Sequence, residues 1–185
     1  MLDSRKLGNF VDQCWGDAIV PTLVDYIRIP NKSPAFDPKE LPETSSTGYP
    51  EPYKSRVAGR HRRRLGDHAG LKNFGVNLTR LDPGAESSMR HWHAKQDEFI
   101  YVVEGEITLV TDAGGQKLKP GMAAGFPAGK ADGHQLVNET NKPALYLEIG
   151  DRTPDDSASY PDVDLAAHVV DGKFVFTRND GTPFK

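Results

Sequence analysis

Three histidines and one glutamate in the second half of the chain have types and spacing suited to metal chemistry. His91 and His93 are separated by one residue, and Glu98 follows five residues later at the head of the apolar run EFIYVV. Alternate residues of a β-strand point to the same face, so both imidazoles can reach one point. His134 opens another short run, HQLV. Three imidazoles and one carboxylate suit a borderline divalent ion such as iron, manganese, nickel, cobalt or zinc.

Four further side chains are candidates for acid–base work beside such an ion. Arg90 and Gln96 flank the His-x-His pair, and Tyr146 and Glu148 share one face of a later predicted strand. For each of them a surface or packing role is the simpler interpretation, and the sequence does not decide which face Tyr146 and Glu148 occupy. The chain has no Ser-His-Asp signature and no phosphate-binding loop.

The elements that must position these residues are short strands. The chain of 185 residues contains 18 glycines and 14 prolines, which favours many turns over a helical bundle. From about residue 70 the apolar period is two, in short runs bounded by Gly, Pro or Asn. This pattern predicts an antiparallel sandwich or barrel. Strand parity places four residues inward beside Glu98 and His134, namely Ile100, Val102, Leu136 and Asn138. It places three residues outward, namely Trp92, Phe99 and Tyr101.

The two histidine motifs resemble those of the cupin superfamily. The first motif is Gly84, six residues, His-Trp-His, four residues, Glu98, six residues and Gly105. The second is Gly121, five residues, Pro-Ala-Gly, four residues, His134, three residues and Asn138. The chain departs from the usual pattern by one extra residue before the first motif's histidines and by two extra residues before His134. The second insertion lengthens a loop at the mouth of the expected barrel.

The resemblance implies an all-β fold, a double-stranded β-helix or jelly-roll barrel, with an N-terminal helical extension. It also implies one divalent transition metal held by His91, His93, Glu98 and His134. Residues 49–152 are similar to a group of small single-domain bacterial cupins, most of which have no assigned reaction. The implied activity is a metal-dependent dioxygenase, or an isomerase or lyase, acting on a small organic molecule. A non-catalytic cupin that binds or senses a small molecule is the alternative.

The N-terminal region is outside this pattern. An apolar stripe that includes Leu7, Val11 and Cys14 predicts a helix from residue 4 to about residue 28, with Cys14 in its packed face. A proline-rich arm follows, and DYIRIPNKSPAFDP is similar to the opening segment of M20-type zinc peptidases, whose metal-ligand motif does not follow. We therefore expect a helix and arm at 1–40, a barrel at 41–150 and a tail at 151–185 with a possible strand at 173–177.

Composition limits the partners. The net charge of −3 gives no indication of nucleic-acid or membrane binding, and no run is apolar enough to span a bilayer. The basic run RHRRR at 60–64 is expected to pair with carboxylates of the arm or of a partner subunit. A single cysteine is typical of a cytoplasmic protein. The outer apolar face formed by Phe99, Tyr101 and Val103 predicts a homodimer.

Overall fold

A computed structural model describes residues 9, 11–21, 35–170 and 172–184, in two compact units that divide after Phe36. The first unit is helical at 11–21, with a π-helical turn at Trp15–Ile19. Its apolar side chains Val11 and Trp15 are exposed, and Cys14 is half-buried, so a packed Cys14 stays a prediction. The rest of the predicted helix and most of the M20-like segment lie outside the described residues.

The second unit is built from antiparallel strands with a few short helical turns. The strands are β1 (Arg60–Arg64), β2 (Phe74–Leu81), β3 (Trp92–His93), β4 (Glu98–Glu104), β5 (Ile107–Thr111), β6 (Gly114–Leu118), β7 (Ala123–Phe126), β8 (Gln135–Val137), β9 (Ala144–Asp151), β10 (Ser157–Ser159), β11 (Ala166–Val170) and β12 (Lys173–Thr177). The helical turns are two 3-10 helices, Pro38–Glu40 and Tyr53–Val57, and α1 (Leu65–His68).

The strands form three sheets, and the buried apolar side chains form two clusters. The strand orders of the sheets are β1-β2-β9-β4-β7, β12-β11-β10-β3 and β6-β5-β8. Isolated bridges between His91 and His134 and between Glu86 and Val137 join the segment around β3 to β8, so the second and third sheets continue into one another opposite the first. This arrangement confirms the all-β jelly-roll prediction.

The core follows the predicted strand parity. Ile100 and Val102 are buried, whereas the intervening Phe99 and Tyr101 are about two-fifths exposed, at 43% and 40%. Asn138 is completely buried, and its side-chain amide donates hydrogen bonds to the carbonyl oxygens of Leu81 and Lys142. It therefore ties the turn after β8 to the end of β2.

The basic run RHRRR forms an edge strand, β1, which was not predicted from the sequence. Alternation gives the strand two different faces. His61 and Arg63 contact Asp82 and Glu43 at one face, and Glu43 lies in the proline-rich stretch of residues 30–53 that continues the arm beyond residue 40. The expected pairing of this run with carboxylates of the arm is confirmed. The opposite face of the strand carries Arg60, Arg62 and Arg64.

Candidate metal centre

Four potential ligand side chains converge on one point of the barrel interior. The Oε2 atom of Glu98 lies 2.9 Å from Nε2 of His134 and 3.6 Å from Nε2 of both His91 and His93. Potential ligand atoms of His91, Glu98 and His134 all lie within 4.8 Å of one another. The structure therefore brings His91, Glu98 and His134 into one group, and it places His93 beside Glu98.

Local backbone pairing explains this convergence. His91 and His134 form a bridge in which each backbone N–H donates to the other's carbonyl, at 3.1 and 2.8 Å. His93 lies in β3, opposite Ala158 of β10, and Glu98 opens β4 in the facing sheet. Two sheets thus supply ligands from opposite sides of one interior site.

The two imidazoles of the His-x-His pair are held through their Nδ1 atoms. His91 Nδ1 lies 3.0 Å from the carbonyl oxygen of Met89, which can only accept, so Nδ1 carries the proton. His93 Nδ1 lies 2.5 Å from Oδ2 of the buried Asp156, which also accepts a hydrogen bond from the backbone N–H of Lys95. Both contacts leave the Nε2 lone pairs directed towards Glu98, the arrangement usual for metal-binding histidines.

The protonation states of Glu98 and His134 suit the binding of a cation. Burial tends to raise the pKa of Glu98, but the imidazoles of His134 and His91 outweigh it and hold that pKa well below its usual range. Burial lowers the pKa of His134, which favours the neutral ligand form. The Oε2 atom of Glu98 is buried and accepts no hydrogen bond within the described part of the chain. Three imidazole nitrogens and one carboxylate oxygen without a hydrogen-bond donor fit a borderline divalent metal.

The cluster lies at the end of a cavity of about 570 Å³. Four cationic side chains line the cavity, against the two carboxylates of Glu98 and Glu148, so its walls have surplus positive charge. These cations are Arg60, Arg62, Arg64 and Lys173. Three of them come from the inward face of β1, and the fourth comes from β12 in another sheet.

Glu148 and Tyr146 both project into the barrel, which settles the face that the sequence left open. The Oε1 atom of Glu148 lies 2.8 Å from a guanidinium nitrogen of Arg62. The Tyr146 hydroxyl is 3.4 Å from Oε2 of Glu148, and burial raises the pKa of this hydroxyl, which stays neutral. Glu148 lines a small inner cavity together with the histidines at 91 and 134. It is therefore the carboxylate placed to act beside the cluster.

The other two acid–base candidates have different surroundings. Gln96 lines the main cavity, but its amide nitrogen donates to the carbonyl of Thr153 at 2.8 Å. The guanidinium of Arg90 is held by the carboxylates of Asp112 and Asp162, so the structure does not bring it to the cluster. Arg90 instead ties two surface segments together.

Two residues beside the cluster were not predicted from the sequence. Asp156 lies in the segment expected to be a tail, and no motif marks it. Tyr160 stacks on the His91 ring with centroids 5.5 Å apart, and it also carries no sequence signal. The inward arginines of β1 did have a signal, because alternate positions in RHRRR can form one basic strand face.

Comparisons with known proteins agree with this geometry. The Cupin domain family model matches residues 77–150. A cupin-superfamily sugar phosphate isomerase from Silicibacter pomeroyi is 45% identical, with 82% of this chain and 97% of that one covered and a TM-score of 0.79. A protein from Acidithiobacillus ferrooxidans, provisionally described as a sugar phosphate isomerase, is 28% identical over 68% of this chain and 80% of its own, with a TM-score of 0.61.

A polyketide cyclase from Streptomyces resistomycificus shares the fold, at 20% identity over 63% of this chain and 78% of its own and a TM-score of 0.54. No curated protein compared with the chain matches it. Among the described residues, no helix has the length and apolar character needed to cross a bilayer. The family model covers both histidine motifs, and the 45% identical structure extends the match to most of the chain. The chain belongs to the cupin superfamily.

Proposed function

We propose that this protein is a metal-dependent isomerase that interconverts the aldose and ketose forms of a small sugar phosphate. The observation that carries the proposal is the convergence of His91, His93, His134 and Glu98 at the end of a cavity with cationic walls. The 45% identical protein from Silicibacter pomeroyi, described as a sugar phosphate isomerase, supports the same class of reaction.

The reaction moves one hydrogen between neighbouring carbons and consumes no oxidant or reductant. When bound by the cluster, a divalent metal would polarise the substrate carbonyl and the adjacent hydroxyl as a Lewis acid. Glu148 takes the proton from one carbon and delivers a proton to the next, while the hydroxyl proton of the first carbon passes to the carbonyl oxygen of the second, so one C–H and one O–H bond break and one of each forms. Arg62, 2.8 Å from Glu148, fixes the orientation of the carboxylate during both transfers.

The position of Glu148 supports this role. Glu98 pairs across the sheet with Gly150, and Glu148 is the next inward residue on the same strand, directly opposite Ile100. Such diagonal neighbours have Cα atoms about 7–8 Å apart. A carbon chain whose oxygens face Glu98 therefore has its C–H bonds within reach of Glu148.

Assembly and location complete the proposal. Phe99, Tyr101 and Val103 form an exposed apolar face on β4, and we infer that a second copy covers it in a homodimer. A homodimer would elute at twice the monomer mass in size-exclusion chromatography with light scattering. The free Cys14 is consistent with a reducing cytoplasm.

Proton NMR in deuterium oxide tests the function directly. The protein is loaded separately with each candidate metal and incubated without oxygen with a panel of triose to hexose phosphates. We expect aldose–ketose interconversion with deuterium entering at the position that receives the proton. Oxygen consumption without interconversion would favour a dioxygenase. Tight binding of a sugar phosphate without turnover under any metal would favour the non-catalytic binding protein.

A further inference from the structure

An open trough lies beside the metal centre on the inner face of the five-stranded sheet. Glu98 pairs with Gly150 across β4 and β9, and Gly150 pairs with Gly75 across β9 and β2. Two adjacent strands thus carry no side chain on the row that begins at Glu98. At Gly75 this row passes the end of β1, whose last residue, Arg64, lies opposite Asn77 on the neighbouring inward row, the row of Glu148.

Packing does not require either glycine. A Cβ atom added at Gly75 would have its nearest heavy-atom neighbour at 3.8 Å, and one added at Gly150 would have it at 3.7 Å. Both distances are ordinary van der Waals contacts, and neither residue has a positive φ. The effect of the two glycines is therefore to leave space above the sheet.

This space is continuous with the main cavity. It has a volume of about 360 Å³ and is lined by both glycines. Five of its lining residues also line the main cavity, and they are Arg62, Arg64, Glu98, Glu148 and Phe174. A molecule that reaches the cluster can therefore extend over the two glycines towards β1.

Two cations that line the main cavity, Arg64 and Lys173, make few contacts with protein carboxylates, and Arg64 also lines the trough. Arg64 has a side chain that is 58% exposed, and among the described residues its one ion pair, with Asp67, is 3.8 Å long. An exposed pair of this kind contributes little. Lys173, on the other sheet, has no carboxylate oxygen within 4.0 Å in the described ranges. Arg62, in contrast, is occupied by Glu148.

The two aspartates that line the trough each have hydrogen-bond partners of their own. Asp67 is bound by the guanidinium of Arg152. Asp151 accepts hydrogen bonds from the backbone N–H groups of Asp97 and Thr153 at 2.8 and 2.7 Å. These contacts occupy both carboxylates, so an incoming anion meets the cations of Arg64 and Lys173.

We propose that Arg64 and Lys173 bind the phosphate dianion of a phosphate monoester whose carbon chain lies over Gly75 and Gly150. The proposal rests on the proposed function and assigns the end of the substrate that does not react. Two cations on opposite walls match a dianion with three acceptor oxygens better than they match a single carboxylate. Three strand spacings separate β4 from β1, about 14 Å, which leaves room for a short sugar chain between Glu98 and Arg64.

Calorimetry with glycerol 3-phosphate tests the subsite without requiring isomerase turnover, because this compound has no carbonyl to isomerise. We expect Arg64→Gln and Lys173→Gln each to weaken its binding to the metal-loaded protein about tenfold, as expected for one charge-assisted contact. Lys117→Gln is the matched control, because Lys117, on β6, pairs with Glu106. This variant should bind glycerol 3-phosphate like wild type. Unchanged affinity in both cavity variants would overturn the proposal.

Glycerate, which has a carboxylate in place of the phosphate ester, distinguishes the two anions. We expect the Arg64 and Lys173 substitutions to leave glycerate affinity within about twofold of wild type, because its carboxylate does not span both cations. If the substitutions weaken glycerate binding and spare glycerol 3-phosphate, the subsite recognises carboxylates and the proposal is wrong.

A steric series at Gly75 tests the trough itself. Gly75→Ala adds an atom that makes only ordinary van der Waals contacts and should keep glycerol 3-phosphate affinity close to wild type, whereas Gly75→Leu should weaken it at least tenfold. Metal content of the Gly75→Leu protein should stay at the wild-type level, which shows that the centre is intact. Wild-type affinity in Gly75→Leu would contradict the proposed path.

Failure of the subsite and failure of the isomerase have different signatures. Equal turnover of phosphorylated and unphosphorylated sugars would overturn the subsite and leave the isomerase standing. Glycerol 3-phosphate binding that depends on Arg64 and Lys173, without isomerisation of any sugar, would support the subsite and overturn the isomerase.

Discussion

Asp156 anchors His93: its Oδ2 atom lies 2.5 Å from Nδ1 of the imidazole, and its side chain is completely buried. Asp156 lies just before β10, in the C-terminal segment whose strands pair with β3. This segment therefore does more than extend the barrel, because it supplies the acceptor that orients one of the candidate ligands.

Replacing this acceptor should loosen the metal without removing a ligand. We expect Asp156→Asn to weaken metal affinity about 10–100-fold, because an amide holds the imidazole less firmly and makes it less basic. Competition with a chelator measures the change. Asp164→Asn is the matched control, since Asp164 pairs with the exposed Arg178. Equal metal affinity in wild type and Asp156→Asn would show that Asp156 does not tune the centre.

Glu148 should act in turnover and not in metal binding. We expect Glu148→Gln to lower kcat about 10²–10⁴-fold, the usual contribution of a positioned acid–base group. Metal content should be unchanged, because the four convergent side chains remain. Glu106→Gln removes a carboxylate that pairs with Lys117 and should keep wild-type kcat. A Glu148→Gln enzyme with full kcat would assign the proton transfer to another group.

Asn138 should contribute to stability through its buried hydrogen bonds. It donates to the carbonyl oxygens of Leu81 and Lys142 and accepts from the backbone N–H of Thr140. Asn138→Ala leaves these groups unsatisfied, and we expect the free energy of unfolding to fall by about 1–3 kcal/mol. Urea denaturation measures it, with the exposed Asn179→Ala as control. No loss of stability would mean that water replaces the amide.

Arg90 should be dispensable for chemistry. Its guanidinium binds Asp112 and Asp162, whose side chains are both more than half exposed. We expect Arg90→Gln to retain wild-type turnover and to lose about 0.2–1 kcal/mol of stability for each ion pair. Turnover is measured with the sugar phosphate that the wild type isomerises. A large loss of kcat in a folded Arg90→Gln protein would show that Arg90 takes part in catalysis.

Period-two alternation made β2 and β4–β9 accessible from the sequence, because one face of each strand is apolar or carries ligands. The edge strand β1 was missed because RHRRR has no apolar face; its inward positions are arginines that meet Glu148 and Ser87 instead. Among the C-terminal strands, β10 and β11 were missed because short strands with Ser and Ala give a weak signal.

The ligand positions could be predicted because their spacing is local, whereas their supports are not. His91 and His93 are two residues apart, but Asp156 is 63 residues from His93 and comes into contact only when β10 pairs with β3. The cationic wall likewise needs β1 and β12, which lie in different sheets. Neither arrangement has a sequence motif.

Elemental mass spectrometry of protein purified without chelator or affinity metal tests the central claim, that the His/Glu cluster is a metal centre. We predict about one iron, manganese, nickel, cobalt or zinc ion per wild-type chain and none in the His91→Ala/His134→Ala double variant. Circular dichroism should show both proteins folded, because the apolar core does not depend on these side chains. No bound metal in the wild type, even after reconstitution, would contradict the account.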